Sequence, residues 1–102
     1  MTFKVIAEAE AIQDWNEAVD WYEERESGVG LQLDDTIHAF LKTLSRHPER
    51  FPFATRLTRK AKIPSPWPYS VYFVINAEFH EVKVLAIWHG ARNPAELRLR
   101  LK

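Results

Sequence analysis

The sequence contains no cysteine, only one methionine and only three glycines among its 102 residues. The absence of cysteine excludes disulfides and thiolate metal ligands. No apolar run approaches the ~20 residues that a membrane-spanning helix needs. The first fifteen residues, MTFKVIAEAEAIQDW, lack the basic and apolar segments of a secretory signal. We therefore expect a cytoplasmic protein without a membrane partner.

Hydrophobic residues make up 46% of the chain, which is enough to form one core in a single domain spanning residues 1–102. The net charge is zero, but the two halves differ. Residues 1–50 carry 5 Lys and Arg against 11 Asp and Glu, whereas residues 51–102 carry 9 against 3. This asymmetry indicates either an acidic partner for the basic half or two layers of opposite charge within one fold.

The first half of the sequence predicts a strand followed by two helices. Phe3–Ala7 forms the strand, and SGVG at Ser27–Gly30 separates the helices. Pro48 ends the second helix. Apolar residues at helical spacing define the buried face of each helix, and the acidic residues of the first helix, including Asp14, are placed mostly on its other side. The apolar residues are Ile12, Trp15, Val19 and Tyr22 in the first helix, and Leu33, Ile37, Phe40, Leu41 and Leu44 in the second.

The second half changes to the patterning of strands, which are predicted at Thr55–Ile63, Tyr69–Ile75 and Glu81–His89. A proline-rich loop at Pro64–Pro68 separates the first two, and NAEFH connects the last two as a hairpin. The tail from Pro94 has two interpretations. PAEL favours a helix start, whereas the alternation of leucines with basic residues favours a strand.

The predicted order is β-α-α-β-β-β plus the tail. Consecutive helices followed by consecutive strands are typical of an α+β fold. We expect an N-terminal strand and an α-helical hairpin packed on one face of a mostly antiparallel β-sheet.

Several short motifs occur in an order and at spacings that resemble one family. They are WYEE at Trp21–Glu24, GVGL at Gly28–Leu31, HPERFP at His47–Pro52, PYSVYFVI at Pro68–Ile75 and VLAIWHGARNP at Val84–Pro94. Together they cover nearly the whole chain and resemble the RelE/ParE superfamily of type II toxin–antitoxin toxins, often labelled plasmid stabilisation proteins. The resemblance implies a cognate antitoxin that wraps the toxin and neutralises it.

The resemblance implies two different activities. RelE-like members are ribosome-dependent ribonucleases that cut mRNA, whereas ParE-like members poison DNA gyrase without nuclease activity. PYSVYF and HGARNP look closer to the ParE-like side, so we expect a toxin that binds DNA gyrase and needs no covalent chemistry. A RelE-like mRNA endonuclease and a non-toxic binding module are the alternatives. No cofactor is expected, and the four histidines show no metal-ligand spacing.

If the protein is a ribonuclease, the resemblance assigns catalytic roles to Lys60, Lys62, His89 and Arg92. Such chemistry requires a base for the 2′-hydroxyl and cations for the phosphate, and His89 is the candidate base because histidine as a residue type can accept a proton near neutral pH. Each residue also has a plain structural interpretation. The lysines form a solvated strand face, His89 ends a strand, and Arg92 either caps the sheet or pairs with an acidic helix residue such as Glu23.

Two departures from the RelE-like pattern argue against catalysis. Ser70 stands where an arginine usually follows the tyrosine of the third strand, and Arg98 stands at the position of the C-terminal tyrosine. No tyrosine follows Tyr72 in the sequence. The zero net charge also disfavours a ribosome-bound nuclease, which gains affinity from positive charge.

Four residues are predicted to bind a partner: Trp67, Arg92, Arg98 and Arg100. Trp67 is expected to be the most exposed tryptophan because it lies in the proline-rich loop, where an aromatic side chain can anchor a partner, with packing in the core as the alternative. Arg98 and Arg100 either meet an acidic surface on gyrase or the antitoxin, or are plain solvent-exposed residues. The antitoxin is expected to supply an amphipathic helix beside the helical hairpin and an extended segment at a sheet edge.

Overall fold

The computed structural model describes residues 2–101 and confirms the α+β fold. The elements follow in the order β1 (Lys4–Ala7), α1 (Ala9–Arg25), α2 (Val29–Arg46), β2 (Arg59–Lys62), β3 (Tyr69–Asn76), β4 (Glu81–His89) and α3 (Pro94–Arg100), with a 3-10 turn at Pro48–Arg50. Within residues 2–101, none of these helices has the length and apolar character needed to cross a membrane.

The four strands form one sheet in the order β1-β4-β3-β2. β1 runs parallel to β4, and the other two pairs are antiparallel. The α1–α2 hairpin covers one face of this sheet, and we call the opposite side the outer face. The pairing of β3 with β4 shifts where Tyr72 faces Ala86 and Phe73 faces Val84. Leu85 is therefore the extra residue of a β-bulge.

The main core lies between the helical hairpin and the sheet. On α2 the predicted apolar face is confirmed, because Leu33, Ile37, Phe40 and Leu44 are buried. They pack with residues of all four strands, including the fully buried Phe73. A second, smaller cluster lies on the outer face beneath α3, and it consists of Tyr72, Ala86, Trp88 and Leu97.

The predicted buried face of α1 is wrong at two positions. Ile12 is 46% exposed, and Asp14 is buried instead of lying on the wet side. The residues that face the sheet are Ala11, Asp14 and Ala18, which occur at helical spacing. The short alanine side chains let α1 lie close against β4.

The structure corrects the predicted start of β2 and decides between the two interpretations of the tail. The strand predicted from Thr55 begins only at Arg59, because Thr55–Thr58 form a turn in which the Thr58 amide donates to Thr55 Oγ1 at 3.1 Å. Such side-chain bonds compete with strand pairing. The tail is a helix, since the Asn93 side chain accepts from the Ala95 amide at 2.9 Å and Pro94 occupies the first turn.

The connection between α1 and α2 is tight. Gly28 adopts a left-handed conformation with φ of 93°, and its amide donates to Glu23 Oε2 at 2.8 Å. Gly30 lies inside α2 and faces α1, where an added Cβ would stand 2.3 Å from the Val19 carbonyl oxygen. Glu23 therefore organises the turn and is not the partner of Arg92.

Candidate functional site

The two lysines predicted for catalysis lie together on the outer face. Ala61, which separates them, is fully buried on the helix-covered side, so Lys60 and Lys62 project the other way. Their neighbours on β3 are Tyr72 and Ser70. The Lys60 ammonium lies 6.0 Å from the centre of the Tyr72 ring.

His89 lies on the opposite side of the sheet from these lysines. It pairs with Tyr69, whose ring belongs to the main core and meets the imidazole edge-to-face at 5.1 Å. The neighbouring residue, Trp88, points to the outer face. The sheet therefore separates His89 from Lys60 and Lys62. The Ala91 amide donates to His89 Nδ1 at 2.9 Å, which places the proton of the neutral imidazole on Nε2.

A buried carboxylate at Asp14 joins α1 to the C-terminal segment. Arg92 Nη1 donates to Asp14 Oδ1 at 3.2 Å, and Arg100 Nη1 donates to Asp14 Oδ2 in a short hydrogen bond. Both guanidinium groups lie over the Trp88 ring, at 3.8 Å and 5.0 Å from its centre. We call Asp14, Trp88, Arg92 and Arg100 the Asp14 cluster. It fixes α3 to the sheet.

Asp14 also completes the hydrogen bonding of β4. Pairing with β1 ends where Ala7 faces Val84. Beyond that point the side of β4 that faced β1 has no neighbouring strand among residues 2–101. Asp14 Oδ2 accepts the Ile87 amide there at 3.0 Å. A carboxylate on a helix thus takes the place of a strand, which satisfies a buried backbone donor.

A pocket of about 280 Å³ lies between α1 and the C-terminal end of β4. We call it the α1–β4 pocket. Its floor is Ala18 and Ile87, its aromatic walls are Tyr22 and Tyr69, and Trp21 and Glu17 stand at its rim. Asp14, His89 and Arg92 line the rest of the pocket, and Asp14 and Arg92 also belong to the Asp14 cluster.

Burial of the Tyr69 hydroxyl, with a smaller contribution from Tyr22, raises the pKa of Tyr69 to about 12. The folded protein therefore holds a proton that the unfolded chain loses near pH 10. The contribution of Tyr69 to stability is complete below pH 10 and is lost as the pH rises to about 12.

We expect this loss to appear in alkaline unfolding. Between about pH 10 and 12 the free energy of unfolding of the wild type should fall by up to about 1.4 kcal/mol per pH unit more than that of Tyr69→Phe. Urea unfolding across this window, followed by circular dichroism, measures both slopes. Equal slopes would show that the phenol titrates alike in the folded and unfolded states.

Comparison with protein families identifies the chain. The model of the ParE toxin of the type II toxin–antitoxin system parDE matches residues 5–94. The chain belongs to the ParE toxin family. No curated protein matches this toxin significantly.

Three solved structures share the fold of this ParE-family toxin. The chromosomal ParDE system from P. aeruginosa has a TM-score of 0.75 at 18% identity, and the match covers 86% of this chain and 96% of that one. The RelBE2 toxin–antitoxin complex from Mycobacterium tuberculosis gives 0.64 at 19%, covering 87% and 99%. A mutant of the E. coli toxin RelE in the free state gives 0.63 at 16%, covering 95% and 93%.

The remaining predicted residues of this ParE-family toxin are placed as follows. Trp67 is half-buried, packs against Tyr22 at 5.1 Å, and is less exposed than Trp21 at 49%, so the expectation about tryptophan exposure is wrong. Arg98 is exposed on α3. The Arg100 side chain is only 14% exposed. Arg92 pairs with an acidic helix residue as one interpretation held, but that residue is Asp14.

Asp14 is the residue that the sequence interpretation missed. A signal exists, because Ala11, Asp14 and Ala18 share one helix face, and a carboxylate between two small residues indicates a close contact. Across residues 2–101, no three His, Asp or Glu side chains are grouped so as to hold a metal ion.

Proposed function

We propose that this ParE-family toxin inhibits growth by binding DNA gyrase in the cytoplasm, and that a cognate antitoxin neutralises it. The observation that carries the proposal is the separation of the predicted catalytic residues by the sheet. Lys60 and Lys62 lie on the outer face, whereas His89 pairs with Tyr69 on the helix-covered face. Cutting RNA requires a base and cations at one phosphate. The separation therefore favours binding over catalysis.

The state of the arginines supports the same proposal. Arg92 is held by Asp14 and by Glu96, with its Nε 3.5 Å from Glu96 Oε2. Arg100 is held by Asp14 and Glu10. Moving either guanidinium to a phosphate would break contacts that fix α3. These arginines are better suited to maintaining the fold than to stabilising a reaction intermediate.

The outer face and the adjoining edge of β2 fit an acidic, extended antitoxin segment. Lys60 and Lys62 are exposed there. Beyond Lys60, whose amide donates to the Pro52 carbonyl, the edge of β2 has no backbone partner among residues 2–101. Two large apolar side chains stand nearby in the preceding loop, Phe53 and Leu57. An added strand would cover both the edge and this apolar surface.

One observation favours the ribonuclease alternative. Tyr72 lies on the outer face beside Lys60, so a phenol and two ammonium groups share one surface without His89. Tyr72 is buried, however, and it packs against Trp88 and Leu97. A reacting phosphate would have to displace part of α3 to reach the phenol.

Two assays on the purified toxin test the proposal directly. We expect the toxin to inhibit DNA supercoiling by gyrase, and we expect added antitoxin to reverse the inhibition. In a translation reaction with ribosomes, we expect primer extension to show intact mRNA. Cleaved mRNA with uninhibited gyrase would overturn the proposal in favour of the ribonuclease. If the toxin neither inhibits gyrase nor cleaves mRNA, the result would favour a non-toxic binding module.

A matched set of lysine variants identifies the source of any cleavage. Lys60→Ala with Lys62→Ala removes the cations predicted for RNA chemistry. Lys83→Ala removes an exposed lysine of β4 that pairs with Glu8 at 3.8 Å. Because Lys83 lies on the same outer face, cleavage lost in the first variant and kept in the second would assign it to Lys60 and Lys62 and not to a contaminating nuclease.

A further inference from the structure

The α1–β4 pocket carries chemistry that the gyrase proposal does not use. Its floor is apolar, because Ala18 and Ile87 are buried. Tyr22 and Tyr69 present aromatic rings on its walls, and their centres are 6.4 Å apart. The volume of about 280 Å³ falls just below the roughly 300–1,000 Å³ of small-molecule pockets, so it suits one large side chain better than a metabolite.

The rim of the pocket carries an uncompensated negative charge. The Glu17 carboxylate accepts one hydrogen bond, from the side-chain Nε2 of Gln13 at 2.9 Å. Across the described residues 2–101, no Lys, Arg or His nitrogen lies within 4.0 Å of the Glu17 carboxylate. Asp14 differs, because two arginines neutralise it. A cation entering the pocket would therefore pair with Glu17.

The aromatic rim also suits a cation. Trp21 already holds the guanidinium of Arg25 at 3.5 Å from its ring centre. Arg25 does not line the pocket, so this contact lies outside it. The Trp21 ring therefore lies at a surface where a guanidinium can stack on it and stay hydrated. The quadrupole of an exposed ring attracts such a cation electrostatically.

The surroundings of the pocket point to a basic partner segment. α1 carries six acidic residues and one basic residue, Arg25. The acidic residues are Glu10, Asp14, Glu17, Asp20, Glu23 and Glu24. Such a helix attracts a positively charged segment and repels an acidic one. The acidic antitoxin segment proposed for the outer face cannot be the segment that lies here.

We propose that the α1–β4 pocket receives an arginine side chain of the antitoxin, an inference that rests on the proposed neutralisation of the toxin. The methylene stem packs on Ala18 and Ile87, as long cationic side chains do on apolar surfaces. The guanidinium stacks against the aromatic rim and pairs with Glu17. Arginine is favoured over lysine because its planar fork stacks on rings and binds a carboxylate with two hydrogen bonds.

A small probe tests the pocket without the antitoxin. N-acetyl-L-arginine amide is titrated into the toxin, and the indole N–H signal of Trp21 is followed by NMR, with its assignment taken from Trp21→Phe. We expect a shift of this signal, with binding about threefold weaker in Glu17→Gln and unchanged in Asp35→Asn. Asp35 provides the control because it is an exposed carboxylate on α2 that does not line the pocket. N-acetyl-L-norleucine amide, which has no charge, should bind more weakly than the arginine amide.

A second measurement uses the purified toxin–antitoxin complex. We expect Glu17→Gln to weaken antitoxin binding about threefold or more, and Asp35→Asn to leave it unchanged. The inference is overturned if norleucine amide binds as well as arginine amide, if neither binds, or if antitoxin affinity is unchanged in Glu17→Gln. An antitoxin that binds neither wild type nor variant would overturn the proposed function instead, and the arginine amide titration would still report on the pocket by itself.

Discussion

Asp14→Asn should lower the free energy of unfolding by about 3 kcal/mol, because it removes one charge from a buried cluster and leaves two guanidinium groups without their counter-ion. Asparagine keeps the size of the side chain and one carbonyl oxygen for the Ile87 amide. What it loses is the negative charge that holds Arg92 and Arg100. Arg92 is partly solvated, so most of the cost should arise at Arg100, whose side chain is 14% exposed.

Urea unfolding followed by circular dichroism measures this effect, with Glu17→Gln as the control. That change removes the same charge from the same helix at an exposed site and should alter stability by less than about 0.5 kcal/mol. Hydrogen exchange adds a local readout. In Asp14→Asn the Leu101 amide, which donates to the Leu97 carbonyl, should exchange faster than the amides of α2. Equal stability of the two variants would mean that the Asp14 cluster does not hold α3.

Gly30→Ala should be the other strongly destabilising change, at about 2–3 kcal/mol. The added methyl would stand 2.3 Å from the Val19 carbonyl oxygen and 2.8 Å from Glu23 Cβ. The carbonyl is backbone inside α1, so it cannot rotate away, and the two helices must separate. Alanine has a higher helix propensity than glycine by about 1 kcal/mol, and the clash should outweigh that gain.

The other two glycines serve as matched controls. At Gly28 no atom would contact an added methyl group, but φ is 93°. Gly28→Ala should therefore lower the free energy of unfolding by about 1 kcal/mol through backbone strain. At Gly90 a methyl would meet only the Pro68 carbonyl oxygen at 3.6 Å, an ordinary contact, and φ is not positive. Gly90→Ala should therefore stay within about 0.5 kcal/mol of the wild type. Thermal unfolding should show Gly30→Ala as the least stable variant, Gly28→Ala as intermediate and Gly90→Ala as the most stable. A Gly30→Ala protein as stable as Gly90→Ala would contradict the close helix packing.

Periodicity predicted the buried face of α2 correctly and misplaced Ile12 and Asp14 on α1 for one physical reason. On α2 the buried residues are large, such as Leu33 and Ile37, so the pattern marks the face that contacts the sheet. On α1 the buried residues are Ala11, Asp14 and Ala18, which are small because the helix lies close to β4, whereas Trp15 and Tyr22 pack against the core only partly buried. Hydrophobicity weights large side chains, so Ile12 dominated the pattern although it is half exposed. Close packing by alanine gives little periodic signal.

The alternation of residues along β4 also did not predict the face of the sheet on which His89 lies. If β4 alternated without interruption, His89 would share a face with Lys83, on the side of Lys60 and Lys62. The bulge at Leu85 reverses the alternation, so Ile87 and His89 join Val84 on the helix-covered face. A single extra residue in β4 thus places His89 on the opposite face from Lys60 and Lys62. The sequence does not signal this bulge, because leucine at position 85 is an ordinary strand residue.

The charge asymmetry between the two halves is resolved partly within the fold. Three ion pairs join the acidic first half to the basic second half besides the bond from Asp14 to Arg100: Glu8 with Lys83, Asp14 with Arg92, and Glu10 with Arg100. The interpretation as two layers of opposite charge accounts for these residues. It does not account for Lys60 and Lys62 on the outer face, which remain available to an acidic partner.

The Asp14 cluster also sets when, during synthesis, the toxin can complete its fold. Asp14 precedes Arg92 by 78 residues and Arg100 by 86. At about 5–20 residues per second, Asp14 is added to the chain roughly 4–17 s before Arg100. Until Arg92 and Arg100 are made, the Asp14 carboxylate lacks the two guanidinium partners that it has in the folded protein, and Trp88 has no helix above it. A ParE-family toxin whose last helix is held by its first helix thus completes its fold only after translation has passed Arg100.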